Sequence, residues 1–316
     1  MQCGEYAKGG PDRAVIVITE PFWCLHKENQ FTENRRFATT EFRNQRTHGH
    51  VSLNPLRALR RLFETLYGLY ALSAFLVLGL LAFLLVTLVP GLGTGMRRGI
   101  ARVTARSFFF CAGIPIRLLD KQQLPAGPCV VVANHASYLD GIVLKGVLPG
   151  RFSFVIAKEF SRLPFVGLLL RRIGSEFVDR FNRHTGAMDA RRLMKAAEAG
   201  QALVLFPEGT FTSEPGLGKF HTGAFVIAAR SALPVVPIVI RGTRNILASG
   251  QFLPRSGRIE VQVLAQIAPP AGLDPSAIAT MTRDQARSKI LAALGEPDLA
   301  DSDGIATLQA RKSGSA

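Results

Sequence analysis

The chain has 316 residues, enough for one catalytic domain with additional segments or for two domains. Hydrophobic residues make up 47% of it and charged residues 19%, which excludes a largely disordered chain and allows a sizeable core. The formal net charge of +15 favours an anionic partner, such as a nucleic acid, an anionic membrane surface or a phosphorylated substrate. The four cysteines have neither metal-ligand nor disulfide spacing, so we expect no metal site and a reducing compartment.

The N-terminal part of the chain changes character from polar to strongly apolar. Residues 1–61 show no sustained periodicity, which predicts a disordered or loosely attached extension. Residues 66–89 contain no charge and reach roughly 36 Å as a helix, enough to cross a ~30 Å hydrocarbon core. We therefore predict a membrane-associated helical segment over residues 62–114, as a single helix or a helical hairpin. Arginines flank the run on both sides, and the positive-inside rule slightly favours a catalytic domain on the cytoplasmic face.

A stripe of cations follows the apolar run. Arg98, Arg102 and Arg106 recur at every fourth position, on one side of a helix. The stripe fits a helix lying on anionic lipid, or the second arm of a hairpin dipped into one leaflet, and equally a helix packed on the soluble domain. The pattern also leaves open whether residues 66–89 span the bilayer or enter one leaflet. Because no nucleic-acid-binding motif accompanies the charge, an anionic membrane surface is the simpler partner and no nucleic acid is expected.

Residues 115–270 alternate between short β-rich runs and helical runs, which predicts an α/β fold, with a sheet flanked by helices. Pro237 lies within a strand run and favours a mixed sheet, while residues 259–264 alternate like a half-exposed edge strand. Residues 271–316 predict a C-terminal helix and a disordered tail. The predicted strands are 129–133, 152–156, 203–206, 235–240 and 259–264, and the predicted helices are 163–173, 188–199, 222–231 and 283–294.

Polar residues directly follow the first predicted strand. His135 and Asp140 are five residues apart and would lie on different faces of a straight helix, so they meet only if the chain turns between them. A strand-to-helix turn would let the aspartate fix one imidazole nitrogen and leave the other as a base. Taken alone, the same segment also fits a helix capped by Asn134 or Ser137 with His135 in a loop.

A second polar group follows the third predicted strand. Glu208 and Gly209 would place a carboxylate and a bare backbone N–H over the crevice that His135 faces. Taken alone, this segment is equally a Pro–Gly turn with a solvated glutamate.

With both motifs in order, the sequence resembles the glycerolipid acyltransferase family, of the lysophosphatidic acid acyltransferase type. The resemblance covers roughly residues 95–265. Four family motifs are matched, namely NHxxxxD by Asn134, His135 and Asp140, GxxFxxR by Gly174, Phe177 and Arg180, FPEGT by residues 206–210, and an apolar strand with proline by residues 233–238.

The resemblance implies transfer of an acyl group from a thioester, on coenzyme A or acyl carrier protein, to the hydroxyl of a lysophospholipid. The expected acceptor is 1-acylglycerol-3-phosphate, and neither a metal nor a cofactor is expected. His135 would be the base, oriented by Asp140, and a backbone N–H near Gly209 or the His135 turn would meet the oxyanion. The expected substrate-binding residues are Asn134, Gly174, Arg180, Glu208, Gly209 and Thr210, with Arg180 on the acceptor phosphate and Glu208 and Gly209 on its glycerol.

One position departs from the family pattern. The third motif usually continues with arginine, and here Thr210 is followed by Phe211. We hypothesise that Phe211 relaxes selectivity for the acceptor phosphate, with Lys219 or Arg244 as candidates to compensate. Two alternatives stay open: another lysophospholipid or amino-lipid acceptor, and a membrane lipid-binding protein that keeps the fold without the chemistry.

Overall fold

The computed structural model describes residues 55–179, 183–211, 214–270 and 272–300. Residues 1–54 and 301–316, which hold most of the predicted extension and tail, lie outside this part of the chain. The strands are β1 Ile116–Leu119, β2 Val130–Ala133, β3 Phe152–Ala157, β4 Glu176–Val178, β5 Ala202–Leu205, β6 Val235–Arg241 and β7 Ile259–Val263. The helices are α1 Pro55–Leu88, α2 Thr94–Cys111, α3 Leu139–Val147, α4 Val166–Arg172, α5 Arg183–Glu198, α6 Gly223–Arg230, α7 Thr243–Ile246 and α8 Pro275–Leu294.

The strands form one sheet in the order β1-β7-β6-β2-β5-β3-β4. All neighbouring pairs are parallel except β6 and β7, which are antiparallel, so the predicted mixed α/β sheet is confirmed. Because β5 lies directly beside β2, the segments that leave these two strands meet at the same edge of the sheet. That edge is where an open α/β sheet places its ligands.

Helices cover both faces of the sheet. On one face, α2 and α3 pack against the inward side chains of the central strands. Phe108 of α2 and Leu144 of α3 are among the buried side chains of this contact. On the other face, α6 and α8 cover β2 and β6, and α5 packs beside them on β5. Buried on both sides, β2 is apolar at every position, which is why its sequence is a continuous valine run rather than an alternating one.

The position of β7 corrects one detail of the sequence prediction, whereas the mixed sheet that Pro237 favoured is the one observed. The strand β7 is not an edge, because it lies between β1 and β6, and its alternation arises from polar cross-strand pairing such as Arg241 with Glu260. Pro237 lies in the interior strand β6, and its carbonyl accepts from Leu264 N at 2.9 Å. Pro237 therefore accepts a bond from the β7 side but cannot donate one, and the β6–β7 register begins at the next residue, Ile238.

Among the residues that the structure describes, α1 is the one helix long and apolar enough to cross a membrane. It begins at Pro55, before the predicted start at residue 62. It folds back on α2 as a hairpin. Tyr67 Oη donates to Ala112 O at 2.8 Å and Tyr70 Oη to Cys111 O at 2.9 Å, while Phe75 meets the buried Phe108 edge-on with ring centroids 5.3 Å apart.

Two of the three arginines of the α2 stripe bond to backbone carbonyls of the α/β domain, whereas the third, Arg106, is exposed. Arg98 is 9% exposed and donates to Ile173 O at 2.9 Å, to Gly174 O at 3.0 Å and to Arg151 O at 3.3 Å. Arg102 donates to Gly146 O at 3.4 Å. Of the two interpretations of this stripe, the structure supports the helix packed on the soluble domain, with the Arg98 side chain attaching it through backbone carbonyls.

Replacing Arg98 tests that attachment. Arg98→Met removes the donor to Ile173 O and Arg151 O. It also removes one of the two side-chain donors to Gly174 O, the other being Ser153 Oγ. We expect the free energy of unfolding to fall by about 2–4 kcal/mol. Urea denaturation followed by circular dichroism measures the change. Arg106→Met is the matched control, because Arg106 lies on the same helix and is exposed. Equal stability of the two variants would contradict the account.

Candidate active site

The His135 and Asp140 side chains meet at the carboxyl end of β2. His135 Nδ1 lies 2.9 Å from Asp140 Oδ2, across a turn that leads from the strand into α3. Asp140 is fully buried, whereas the His135 side chain is 19% exposed. The carboxylate makes Nδ1 the protonated nitrogen in the neutral ring and leaves Nε2 as the proton acceptor.

A single carboxylate oxygen of Asp140 holds the whole turn. Besides His135 Nδ1, Oδ2 accepts from the backbone N–H groups of Ala136 at 2.7 Å and Ser137 at 2.8 Å. Asp140 also lies in the first turn of α3, where the helix dipole favours negative charge. The Ser137 hydroxyl donates to Leu247 O at 2.7 Å and fixes the turn from the other side. The imidazole orientation is therefore set by the backbone as well as by the hydrogen bond to Asp140.

The Asn134 side chain forms two hydrogen bonds with the backbone of the neighbouring strand β6. Its amide nitrogen donates to Ile240 O at 2.9 Å, and its amide oxygen accepts from Ile240 N at 2.8 Å. Asn134 is 3% exposed. This reciprocal pair continues the β2–β6 contact past the end of β2 and fixes where the His135 turn begins.

The Glu208 carboxylate also holds the backbone of this turn. Its Oε1 accepts from His135 N at 2.6 Å and its Oε2 from Gly218 N at 2.8 Å. Burial raises the pKa of the Glu208 carboxyl above its ordinary value, and the two backbone donors oppose that rise. Glu208 thus joins the first and third motifs through main-chain contacts.

The predicted oxyanion donors are occupied within the protein. Gly209 N–H donates to Phe206 O at 3.1 Å, in a turn where Gly209 has a positive φ of 74° that favours glycine. The N–H groups of His135, Ala136 and Ser137 serve Glu208 and Asp140. None of these four groups is therefore free for the oxyanion in this arrangement. Thr210 follows directly and is exposed at the rim.

Aromatic rings surround the His135 imidazole. Phe206 stacks on it at 4.3 Å between centroids, and Phe211 lies 4.5 Å away at an angle of 50°. Phe211 also meets Tyr138 edge-on at 4.7 Å. Phe211, which stands where the sequence departs from the expected motif, therefore contacts the His135 ring directly and makes this wall of the site apolar.

The remaining predicted residues lie apart from this cluster or outside the described chain. Gly174 has a positive φ of 70°, and an added Cβ would come within 2.8 Å of Arg98 Nη2, so this glycine accommodates the α2 arginine. Arg180 lies outside the described residues. Arg244 bonds both oxygens of Glu296 at 2.7–2.8 Å, while Lys219 is exposed. Within the described residues, no group of three or more His, Cys, Asp or Glu side chains is placed to hold a metal.

Three further residues that contribute to the site were not among the site residues predicted from the sequence. Tyr138 and Gly218 contact the cluster through Phe211 and Glu208, and the His221 ring lies 3.2 Å from where a Gly209 Cβ would stand. The glycines at 216 and 218 were the available hint, because Gly218 gives the Glu208 carboxylate room to approach the backbone. A buried aspartate bonded to a histidine at a strand end is an arrangement that can activate a hydroxyl or water nucleophile.

Comparison with known proteins shows the family to which the chain belongs. The family model described as Acyltransferase matches residues 115–241. A putative 1-acyl-sn-glycerol-3-phosphate acyltransferase of Caenorhabditis elegans is 30% identical over 209 residues, which cover 63% of this chain and 72% of that protein. The 1-acyl-sn-glycerol-3-phosphate acyltransferase of Saccharomyces cerevisiae is 29% identical over 60% of this chain, and the human beta enzyme of that name is 34% identical over 53%. The chain belongs to the acyltransferase family that includes these proteins.

Comparison with solved structures shows a protein of similar fold. The crystal structure of the 1-acyl-sn-glycerophosphate acyltransferase PlsC from Thermotoga maritima superposes with a TM-score of 0.59 at 19% identity, over 74% of this chain and 96% of that one. The alignments with the yeast and human proteins span 63% and 61% of their lengths. The residues that the family model matches, 115–241, include His135 and Asp140.

Proposed function

We propose that the chain is a membrane-associated acyltransferase that moves a fatty acyl group from a thioester to the free hydroxyl of a lysophospholipid. The donor is acyl-coenzyme A or acyl-acyl carrier protein, and 1-acylglycerol-3-phosphate is the acceptor that gives phosphatidic acid. The contact of His135 Nδ1 with Asp140 at 2.9 Å carries the proposal, because it leaves Nε2 as a base. The names of the relatives support the choice of acceptor.

The chemistry follows from that pair. His135 Nε2 takes the hydroxyl proton as the acceptor oxygen bonds to the thioester carbonyl carbon. Asp140 stabilises the imidazolium that forms. The tetrahedral intermediate then collapses with cleavage of the C–S bond, and the imidazolium returns its proton to the departing thiolate. The products are the ester and a free thiol, and no covalent enzyme intermediate is needed.

The other motif residues divide into those that position the base and those that meet substrate. In this proposal Asn134 and Glu208 are positioning residues, since their polar atoms serve the backbone of the His135 turn. Arg180 holds the acceptor phosphate, for which a planar guanidinium is well suited. Gly209 and Thr210 form the rim that the acceptor glycerol contacts, and Gly174 supports the site from the α2 side.

The helix α1 supports membrane association in a particular orientation. It contacts the domain along much of its length, from Gly68 beside Leu253 to Phe83, which meets Phe165 edge-on at 5.5 Å. A helix fixed in this way cannot cross a bilayer without drawing charged parts of α2 and α4 into the hydrocarbon. We therefore propose that α1 enters one leaflet. Its exposed apolar side chains include Leu59, Leu62, Phe63, Leu66, Leu76, Leu80 and Leu84.

Cations near this helix supply attraction to an anionic surface. Arg57 and Arg61 are exposed at the start of α1. Arginines beside an apolar helix add roughly 1 kcal/mol each on anionic lipid. The placement of the domain on the cytoplasmic face stays a prediction from the flanking charges.

Replacing the base tests the function. We expect His135→Gln to lower turnover by about 10²–10⁴-fold, since glutamine can still bond Asp140 but cannot act as the base. The assay is transfer of labelled acyl groups from coenzyme A or acyl carrier protein to 1-acylglycerol-3-phosphate in vesicles. Circular dichroism and thermal unfolding check that the variant is folded. Wild-type turnover by His135→Gln would exclude this mechanism, and lipid binding without transfer by the wild type would support the binding-protein alternative.

Replacing Phe211 tests acceptor selectivity. The apolar ring adds no phosphate partner to Arg180, so we expect the wild type to discriminate less strongly between 1-acylglycerol-3-phosphate and monoacylglycerol than a variant with arginine at position 211. Phe211→Arg should raise the ratio of their kcat/KM values by about 10- to 100-fold, the effect of one charge-assisted hydrogen bond. Phe211→Leu is the control, because it loses the ring without adding charge and should leave the ratio unchanged. An unchanged ratio in Phe211→Arg would refute the hypothesis.

A further inference from the structure

A short segment after α8 holds the loop on which Glu208 depends. We name residues 295–300 the C-terminal strap. Leu217 N donates to Pro297 O at 2.9 Å, and Leu299 N donates back to Leu217 O at 3.0 Å. Leu217 is fully buried between these contacts. The strap thus binds the loop immediately before Gly218, whose N–H is a donor to Glu208.

The helix α8 reinforces the same loop through one side chain. Arg287 donates to Leu217 O at 2.9 Å and to Gly218 O at 3.0 Å. The same guanidinium pairs with the Asp298 carboxylate of the strap, with Nη1–Oδ2 at 2.9 Å and a second contact between Nη2 and Oδ1. Arg287 therefore fixes the strap and the loop to each other and to the helix.

Glu296 connects the strap to the other support of the His135 turn. Its Oε2 accepts from Gly216 N at 2.7 Å, and both of its oxygens accept from Arg244 Nη1. Arg244 lies just after β6, the strand whose Ile240 holds Asn134. One carboxylate thus joins the Glu208 loop to the end of the strand that fixes Asn134.

The fit of strap and loop is close. At Gly216 an added Cβ would lie 2.4 Å from Leu299 Cγ, and its φ of 144° is one that side chains rarely adopt. The loop therefore has little freedom to shift while the strap is in place. Because Gly218 N and His135 N bind the two oxygens of one buried carboxylate, a displacement of the loop moves the glutamate relative to the base.

We propose that the C-terminal strap, with Arg287 and Glu296, is a positioning element of the active site that acts on His135 through Gly218 and Glu208. The inference rests on the proposed function, since it concerns the same base. It assigns a role in catalysis to residues more than 70 positions away from the third motif along the chain. The alternative is a strap that only adds to the stability of the fold.

The test compares two arginines on α8. Arg287→Gln removes the donors to the loop and strap, whereas Arg283→Gln, the matched control one turn earlier, removes a contact with its neighbour Asp284. We expect Arg287→Gln to lower kcat by about 10- to 100-fold with the donor KM within about twofold, since ångström-scale misplacement of a base has that effect. Arg283→Gln should keep the wild-type kcat. Assays run below the unfolding temperature of each variant, and Glu296→Gln serves as the second variant if Arg287→Gln does not fold.

A double-mutant cycle separates positioning from stability. In a Glu208→Gln background, Arg287→Gln should change kcat by less than about twofold, because the contact through which it acts is already lost. Multiplicative effects of the two substitutions, or a wild-type kcat in folded Arg287→Gln, would overturn the inference. Failure of the proposed function has a different signature, in which the wild type transfers no acyl group or His135→Gln transfers it normally.

Discussion

The site depends on one buried oxygen atom. Asp140 Oδ2 accepts from the His135 ring and from two backbone N–H groups of the turn that carries it. A carboxylate removed from water is costly unless donors surround it, and here the donors are the turn itself. The charge that orients the imidazole is thus also the interaction that folds the chain between β2 and α3. Loss of the Asp140 carboxylate would remove the hydrogen bonds that shape the turn and the one that sets the tautomer of the His135 ring.

Other motif side chains around the turn also bind main-chain groups. Asn134 and Glu208 are polar residues of a catalytic motif, yet their side chains bind main-chain groups on β6, on the loop at Gly218 and on His135 itself. A general base works only when its nitrogen is held near the proton it removes, so the proposed mechanism requires this turn to be rigid. Main-chain partners supply it because they are fixed by the sheet. The outer supports, Arg98 on α2 and the strap after α8, hold the elements that these residues bind.

The sequence predicted the central strands and the His135–Asp140 pair better than the short strands and the long-range side-chain contacts. Continuous valine at β2 and the motif order were sufficient for an α/β sheet with His135 and Asp140 together at a strand end. The three-residue strand β4 and the four-residue β1 were missed, since such short runs have no clear period. The sequence could not predict whether the α2 arginines face the domain or lipid, because a guanidinium can bond either a backbone carbonyl or a lipid phosphate, and only tertiary contacts distinguish the two. The role of Glu296 is equally invisible, since its partners lie far away along the chain.

The tautomer of His135 is the most direct test of the central claim. Selective ¹⁵N labelling of histidine, with His135→Gln used to assign the signal, reports which ring nitrogen carries the proton in the neutral imidazole. The account predicts a proton on Nδ1, donated to Asp140, and an unprotonated Nε2. A neutral ring with its proton on Nε2 would contradict it, because the nitrogen left to act as the base would then be the one that faces Asp140.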